Sequence, residues 1–200
     1  MCLQEAIVSV VCLSMTTKYI FVDLDECLFH ARPMGGDRED AETHLDKGEV
    51  LINAKNIADP TDFDDFYGSR LRPGAINFLN ELRKIPDSQL FVLTSSVELY
   101  AKANNKAHGL GFDPDDIYSR GDLQQTILDP EEFGSGPVYL IDNLPRHENR
   151  IKVEFLRDIA TNNVKYIKVP EYWGDDELDS PFDSFLVNDI LRQINDLDNS

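Results

Sequence analysis

A chain of 200 residues is long enough for one domain with an insertion, and at 42% hydrophobic and 10% aromatic it can build a core. Its 37 acidic against 19 basic residues leave a net charge of −18, which argues against a general nucleic-acid surface and against docking on anionic membranes. Three cysteines, Cys2, Cys12 and Cys27, show no paired spacing, so no disulfide framework is expected and a reducing cytoplasm is the expected location.

Residues 1–15 are apolar but too short to span a bilayer, and Glu5 stands where a secretory leader wants basic residues. They read as an extension outside the core, with Met15 as a second candidate start, and 16–200 as a single domain. Lys18–Asp23 reads as a buried strand. It stops at Asp23 and Asp25, which the period of two places on one side. Two carboxylates ending a buried strand are costly unless they hold a metal or do chemistry. Residues 29–70 are polar and interrupted by Pro33, Gly35, Gly36 and Pro60, too long for an ordinary loop. Within them Glu49–Ala54 alternates like half of a hairpin, a possible lid.

Pro73 and Gly74 then open a helix over Ala75–Lys84. Gln89–Leu93 is a second strand, ending in Thr94, Ser95 and Ser96; Val97–His108 is helical. Pro137–Ile141 is a third strand, ending in Asp142 and Asn143. A helix over Arg150–Ala160, a strand over Val164–Val169 and an amphipathic helix over Asp183–Ile194 complete the order. Alternating strands and helices predict the α/β class: a Rossmann-like parallel sheet with helices on both faces. Right-handed crossovers bring Asp23, Thr94 and Asp142 to one edge, where open α/β sheets bind ligands.

A carboxylate pair, a hydroxyl and a third carboxylate on one edge are the parts of metal-assisted phosphoryl transfer. Asp23 can attack phosphorus and Asp25 can shuttle the proton. Asp23, Asp142 and the backbone carbonyl of Asp25 can hold Mg²⁺ with waters completing the octahedron. Thr94, with Ser95 and nearby N–H groups at a helix start, can hold phosphate oxygens. An EF-hand is excluded by the missing glycine and terminal glutamate. A thiol phosphatase at Cys27 is excluded because Pro33 stands where its arginine would be.

The segments YIFVDLDECLFH, LRPGAINFLNELRK, FVLTSSVELYAKA and VYLIDNLP, in this order, resemble the motifs of haloacid-dehalogenase (HAD) superfamily phosphatases. The nearer resemblance is to the C-terminal-domain phosphatase, NLI-interacting-factor-like branch, whose late Trp-Asp-acidic segment is similar to YWGDDELDS at 172–180. The resemblance spans roughly residues 17–196. It implies a Mg²⁺-dependent phosphomonoesterase with an aspartyl-phosphate intermediate, acting on phosphoserine or phosphothreonine peptides. A small-molecule phosphatase such as a nucleotidase is the alternative within the same chemistry; a catalytically silent binding module is the alternative outside it.

Two departures stand out. Cys27 occupies the place of a customary threonine, a position that only needs to pack. The lysine that neutralises the phosphate, expected between the second and last motifs, has no clear match; Arg120 is the leading candidate, with Lys102 and Lys106 behind it. Arg72 is expected to be structural, His30 a packing residue, Ser95 and Ser96 helix caps, and Trp173 an anchor of the C-terminal segment.

Overall fold

The computed structural model describes residues 17–35, 37–53, 66–125, 133, 136–157, 159–160, 164–175 and 179–198. The extension expected over 1–15 lies outside them. In chain order the elements are β1 (Lys18–Val22), β2 (Phe29–Met34), α1 (Arg38–Thr43), β3 (Val50–Asn53), β4 (Phe66–Leu71), α2 (Ala75–Leu82) and β5 (Ser88–Leu93). Then come α3 (Glu98–His108), β6 (Ile117–Tyr118), α4 (Arg120–Gln125), β7 (Val138–Asp142), α5 (Arg150–Arg157), β8 (Lys165–Lys168) and α6 (Ser184–Asp198).

Five strands form one parallel sheet in the order β6-β5-β1-β7-β8. β1 lies in the middle because both of its faces are apolar, as a strand covered on two sides requires. Ile20 and Val22 face a cluster with Phe78 and Leu79 of α2, Ala101 of α3 and Ile190 of α6. Tyr19 and Phe21 face the opposite cluster, with Leu123 of α4 and Phe155 and Leu156 of α5. Helices therefore cover both faces, and the fold is the expected Rossmann-like α/β layer.

The register pairs Val22 with Val92 on one side and with Ile141 on the other. Next in line, Asp23 stands just past the end of β1 and Asp142 is the last residue of β7, paired with Lys168 of β8. The Asp23 N–H still donates to the Ile141 carbonyl at 3.0 Å.

The segment after β1 is more than a hairpin. β3 pairs antiparallel with β4, as half of a strand pair would, and β4 takes β2 on its other edge. This small sheet rests on α3: the buried Ser69 hydroxyl donates to Asn104 Oδ1 at 2.7 Å and lies 2.8 Å from His108 Nε2. Its interior includes Ile52 and Phe29, which join the core of the main layer.

Arg72, between β4 and α2, is fully buried. Its guanidinium donates to the carbonyls of Cys27 (3.1 Å), Pro170 (2.8 Å) and Ser180 (2.7 Å) and lies 4.3 Å over the Phe182 ring. The expected structural role is what its contacts show. Gly74 follows at φ +83°, and a Cβ there would sit 2.3 Å from the Phe182 carbonyl oxygen, so only glycine lets the last segment close over α2.

Trp173 departs from expectation. It is 54% exposed, whereas its neighbour Tyr172 is fully buried and supplies the anchor. The Tyr172 N–H donates to the Glu26 carbonyl at 2.7 Å, which turns the next side chain outward. The Trp173 ring instead stands 5.9 Å from that of His30, a packing partner as expected.

Candidate active site

Asp23 and Asp142 end adjacent parallel strands and are 5% and 0% exposed. Between them lies the ammonium of Lys152, itself 2% exposed, 2.7 Å from Asp23 Oδ1 and 2.8 Å from Asp142 Oδ2. The other Asp142 oxygen accepts the Leu144 N–H at 2.9 Å. The loop that follows is pinned by Tyr166, whose hydroxyl donates to the Leu144 carbonyl and accepts from Asn149 Nδ2 at 2.8 Å.

Lys152 stays charged. Burial pulls its pKa down, but Asp23 and Asp142 outweigh that and push it up to about 12. One ammonium does not neutralise two buried carboxylates. Burial pushes Asp23 up to about 7 against the pull of Lys152, with repulsion from Asp142 and Asp25 adding to it.

Asp25 is turned by the chain itself. Glu26 adopts a left-handed φ of +58°, and its N–H donates to the Phe29 carbonyl at 2.7 Å, closing a tight turn. The Asp25 carboxylate, half-buried, accepts from Ser96 Oγ and from the Tyr100 hydroxyl, each at 2.6 Å, and more weakly from Thr94 Oγ1 at 3.4 Å. Burial and the Asp25 charge raise the Tyr100 pKa, so the phenol keeps its proton and donates.

Thr94 is fully buried at the end of β5, and its hydroxyl accepts the Ser96 N–H at 3.1 Å. Ser95 is exposed at the same turn. Cys27 is wholly buried in the core, where burial raises its thiol pKa and keeps it protonated.

Arg120 stands at the Thr94 turn: its Nε donates to the Ser95 carbonyl at 2.7 Å and its backbone N–H to the Ser96 carbonyl at 2.9 Å. Lys102 pairs with Glu98 one turn away at 2.5 Å, and Lys106 is exposed. The cation at the carboxylates is Lys152, which follows the last motif instead of preceding it. The sequence does mark it: Lys152 is in phase with Phe155 and Leu156, a lysine on the apolar face of α5. The sequence marks Ser96 only as a cap and gives Tyr100 no role, because the turn that aims Asp25 at them is tertiary.

The donor set suits a small hard cation. Asp23 and Asp142 offer buried oxygens carrying more negative charge than Lys152 offsets, and beside them Asn143 Oδ1 is buried with no hydrogen-bond partner among the described residues. Among the described residues no three His, Cys, Asp or Glu side chains group around one point. A magnesium site here would therefore use two carboxylates, with the residue-25 carbonyl and waters filling the rest, as Mg²⁺ tolerates. The Asp25 side chain itself is engaged with Ser96 and Tyr100.

No family model matches the chain, and no curated protein matches its sequence. Among solved structures it is similar to the fission yeast RNA polymerase II CTD phosphatase Fcp1 bound to beryllium fluoride, at 17% identity and a TM-score of 0.46, over 91% of this chain and 51% of that one. It is also similar to the HAD domain of the Legionella pneumophila effector Lem4, in an inactive mutant, at 13% identity and a TM-score of 0.47, over 90% of this chain and 93% of that one. A third is the Legionella pneumophila effector Ceg4, at 16% identity and a TM-score of 0.43, over 90% and 96%. The chain spans about half the length of the Fcp1 structure to which it is similar.

Proposed function

We propose that this chain is a Mg²⁺-dependent phosphomonoester hydrolase that works through an aspartyl-phosphate at Asp23, with phosphoserine or phosphothreonine peptides as substrates. The observation that carries the reading is the buried Asp23–Lys152–Asp142 ion-pair bridge at the strand ends, with a second aspartate, Asp25, two residues on.

In the first step an Asp23 oxygen attacks phosphorus, the ester P–O bond breaks, and the leaving oxygen takes a proton from Asp25. In the second, water attacks the same phosphorus, gives its proton to Asp25, and the acyl-phosphate bond breaks to restore Asp23. Lys152 holds the nucleophile in place and offsets its charge. The Thr94 turn, with its N–H groups, holds the other phosphate oxygens. Asp25 must leave Ser96 and Tyr100 and rotate toward the leaving group, so substrate entry and a side-chain turn are linked. Bound Mg²⁺ would supply positive charge against the phosphate oxygens.

Asp23→Asn keeps the shape and removes the attacking charge. Turnover of a nitrophenyl phosphate with Mg²⁺ falls by at least ~10³-fold, since of the two neighbouring carboxylates Asp142 is held by Lys152 and the Leu144 N–H, and Asp25 serves as the proton shuttle. EDTA abolishes wild-type activity, and intact mass of the quenched wild type shows one added phosphoryl group. Near-normal turnover by Asp23→Asn, or full activity in EDTA, would falsify the mechanism.

A further inference from the structure

Arg146, Arg150 and Arg157 line an open groove of about 670 Å³ together with His147, Val153 and Glu154. The groove runs along the outer face of α5. On a 3.6-residue helix, Arg150, Val153, Glu154 and Arg157 share one stripe, while Lys152, Phe155 and Leu156 point inward. Arg146 stands four residues beyond Asp142, in the loop that leads from β7 to α5.

The sign of this surface runs against the rest of the molecule. The protein carries −18, yet the outward charges between 146 and 157 are three arginines against Glu148 and Glu154. All three arginines are exposed, and among the described residues none makes an ion pair or hydrogen bond through its side chain. Glu148 is itself 3.5 Å from His147 Nε2. Three arginines in one groove, without an ion pair among the described residues, present a local positive field to a partner. At physiological salt charges more than about 8 Å away are largely screened, so inside the groove the arginines outweigh the more distant acidic surface.

We propose that this groove docks a short acidic stretch of a protein substrate while its phosphorylated residue sits at Asp23. The inference rests on the phosphatase reading for the reaction, and adds the substrate's charge class to it. Eight residues of α5 span about 12 Å, which matches about four extended residues. A polyanion that spreads over a wide surface, such as a nucleic acid or a membrane, meets the acidic remainder; a four-residue acidic stretch need not. Arginine suits carboxylates because its planar fork can bind them through two hydrogen bonds.

The test measures binding of fluorescein-labelled hexaglutamate to the full chain by anisotropy, with hexaserine as control. Binding of hexaglutamate alone, weakening as NaCl rises, is the expected result. The double variant Arg150→Gln, Arg157→Gln weakens it at least ~5-fold, from the loss of two ion pairs, and Arg146→Gln weakens it in the same direction. Melting temperatures confirm that these exposed substitutions leave the fold intact. In turnover, a phosphopeptide carrying four glutamates shows a raised KM in the double variant at unchanged kcat; one carrying four serines shows no change in KM. Equal hexaglutamate binding by wild type and variants overturns the proposal. Tighter arginine-dependent binding of a DNA oligonucleotide or of anionic vesicles than of hexaglutamate overturns it too. Because the binding arm needs no turnover and is repeated in Asp23→Asn, failure of docking and failure of the phosphatase reading are separate results.

Discussion

At the residue scale, Lys152 is the cation that joins the two strand-end carboxylates. It is the counter-charge to two buried carboxylates, and breaking such a pair by removing one partner costs ~3–5 kcal/mol. Lys152→Met keeps length and apolar bulk, so the expected loss is that of charge. Urea unfolding of Lys152→Met shows this destabilisation at neutral pH, and turnover falls at least ~10²-fold. A stability equal to wild type would mean that the ammonium is not what holds Asp23 and Asp142 together.

Asp25 gives a second residue-scale test. Asp25→Asn cannot pass a proton but leaves Asp23 free to attack. A nitrophenyl ester, with its good leaving group, gives a burst of about one equivalent followed by slow turnover, because only the water step lacks its base. An alkyl phosphate gives no burst. Rapid-mixing absorbance with intact mass reads both; equal slowing of both esters without a trapped phosphoryl group removes Asp25 from the proton shuttle.

Among the elements, the small sheet β2-β4-β3 depends on how it sits on α3. His108 at the end of α3 lies 2.8 Å from the Ser69 hydroxyl and 5.6 Å from the Phe29 ring, and burial lowers its pKa to about 4. In the unfolded chain the same group titrates near 6.5. Above about 6.5 both states are neutral and His108 adds no pH dependence. As pH falls from about 6.5 towards 4 the unfolded chain binds the proton and the folded one does not, so stability is lost through that window. The Tm of wild type is expected to drop more than that of His108→Gln between pH 7 and pH 4.5. A gap between the two that stays constant with pH would show that His108 is not buried as described. The carboxylates titrating in this range are common to both proteins, so they cancel in the difference.

At the scale of the whole molecule, Arg72 fastens three parts of the chain that are distant in sequence. Its guanidinium takes carbonyls from the turn after β1, from the segment after β8 and from the segment before α6. Arg72→Met fills much of the space but leaves those carbonyls buried without donors. The expected destabilisation is at least ~3 kcal/mol, with hydrogen exchange of α6 rising first. Uniform acceleration across the core, with α6 no faster than β1, would argue that Arg72 is only a packing residue. Near the same joint, the closeness of the Phe182 carbonyl to Gly74 means that a side chain at 74 would lift α6 from α2. Among the described residues no helix is long and apolar enough to cross a bilayer.

The main layer was legible in the sequence because its determinants are local. The apolar run of β1 and the strand-like runs at Ser88–Leu93 and Val138–Asp142 declare buried parallel strands, and the residues that stop them, Asp23, Thr94 and Asp142, are polar where the sheet ends. Topology then carries those three to one edge without further information. The short edge strand β6 and helix α4 were missed because two- and six-residue elements hold too little pattern to read. Lys152 shows in the sequence only as a lysine on the apolar face of α5, without its role. Its charge has meaning only beside Asp23 and Asp142, and that proximity is set by where α5 packs on the sheet, not by any spacing from the motifs before it. The same holds for Asp25, which by period alone shares a side with Asp23. The left-handed turn at Glu26 and the hydroxyls of Ser96 and Tyr100 decide where its carboxylate points. The sequence by itself determined the sheet, the edge and the acidic strand ends, because period and hydrophobicity act over a few residues. The tertiary structure alone decided which cation meets them, because an ion pair forms between side chains that packing, and not chain order, brings within 3 Å.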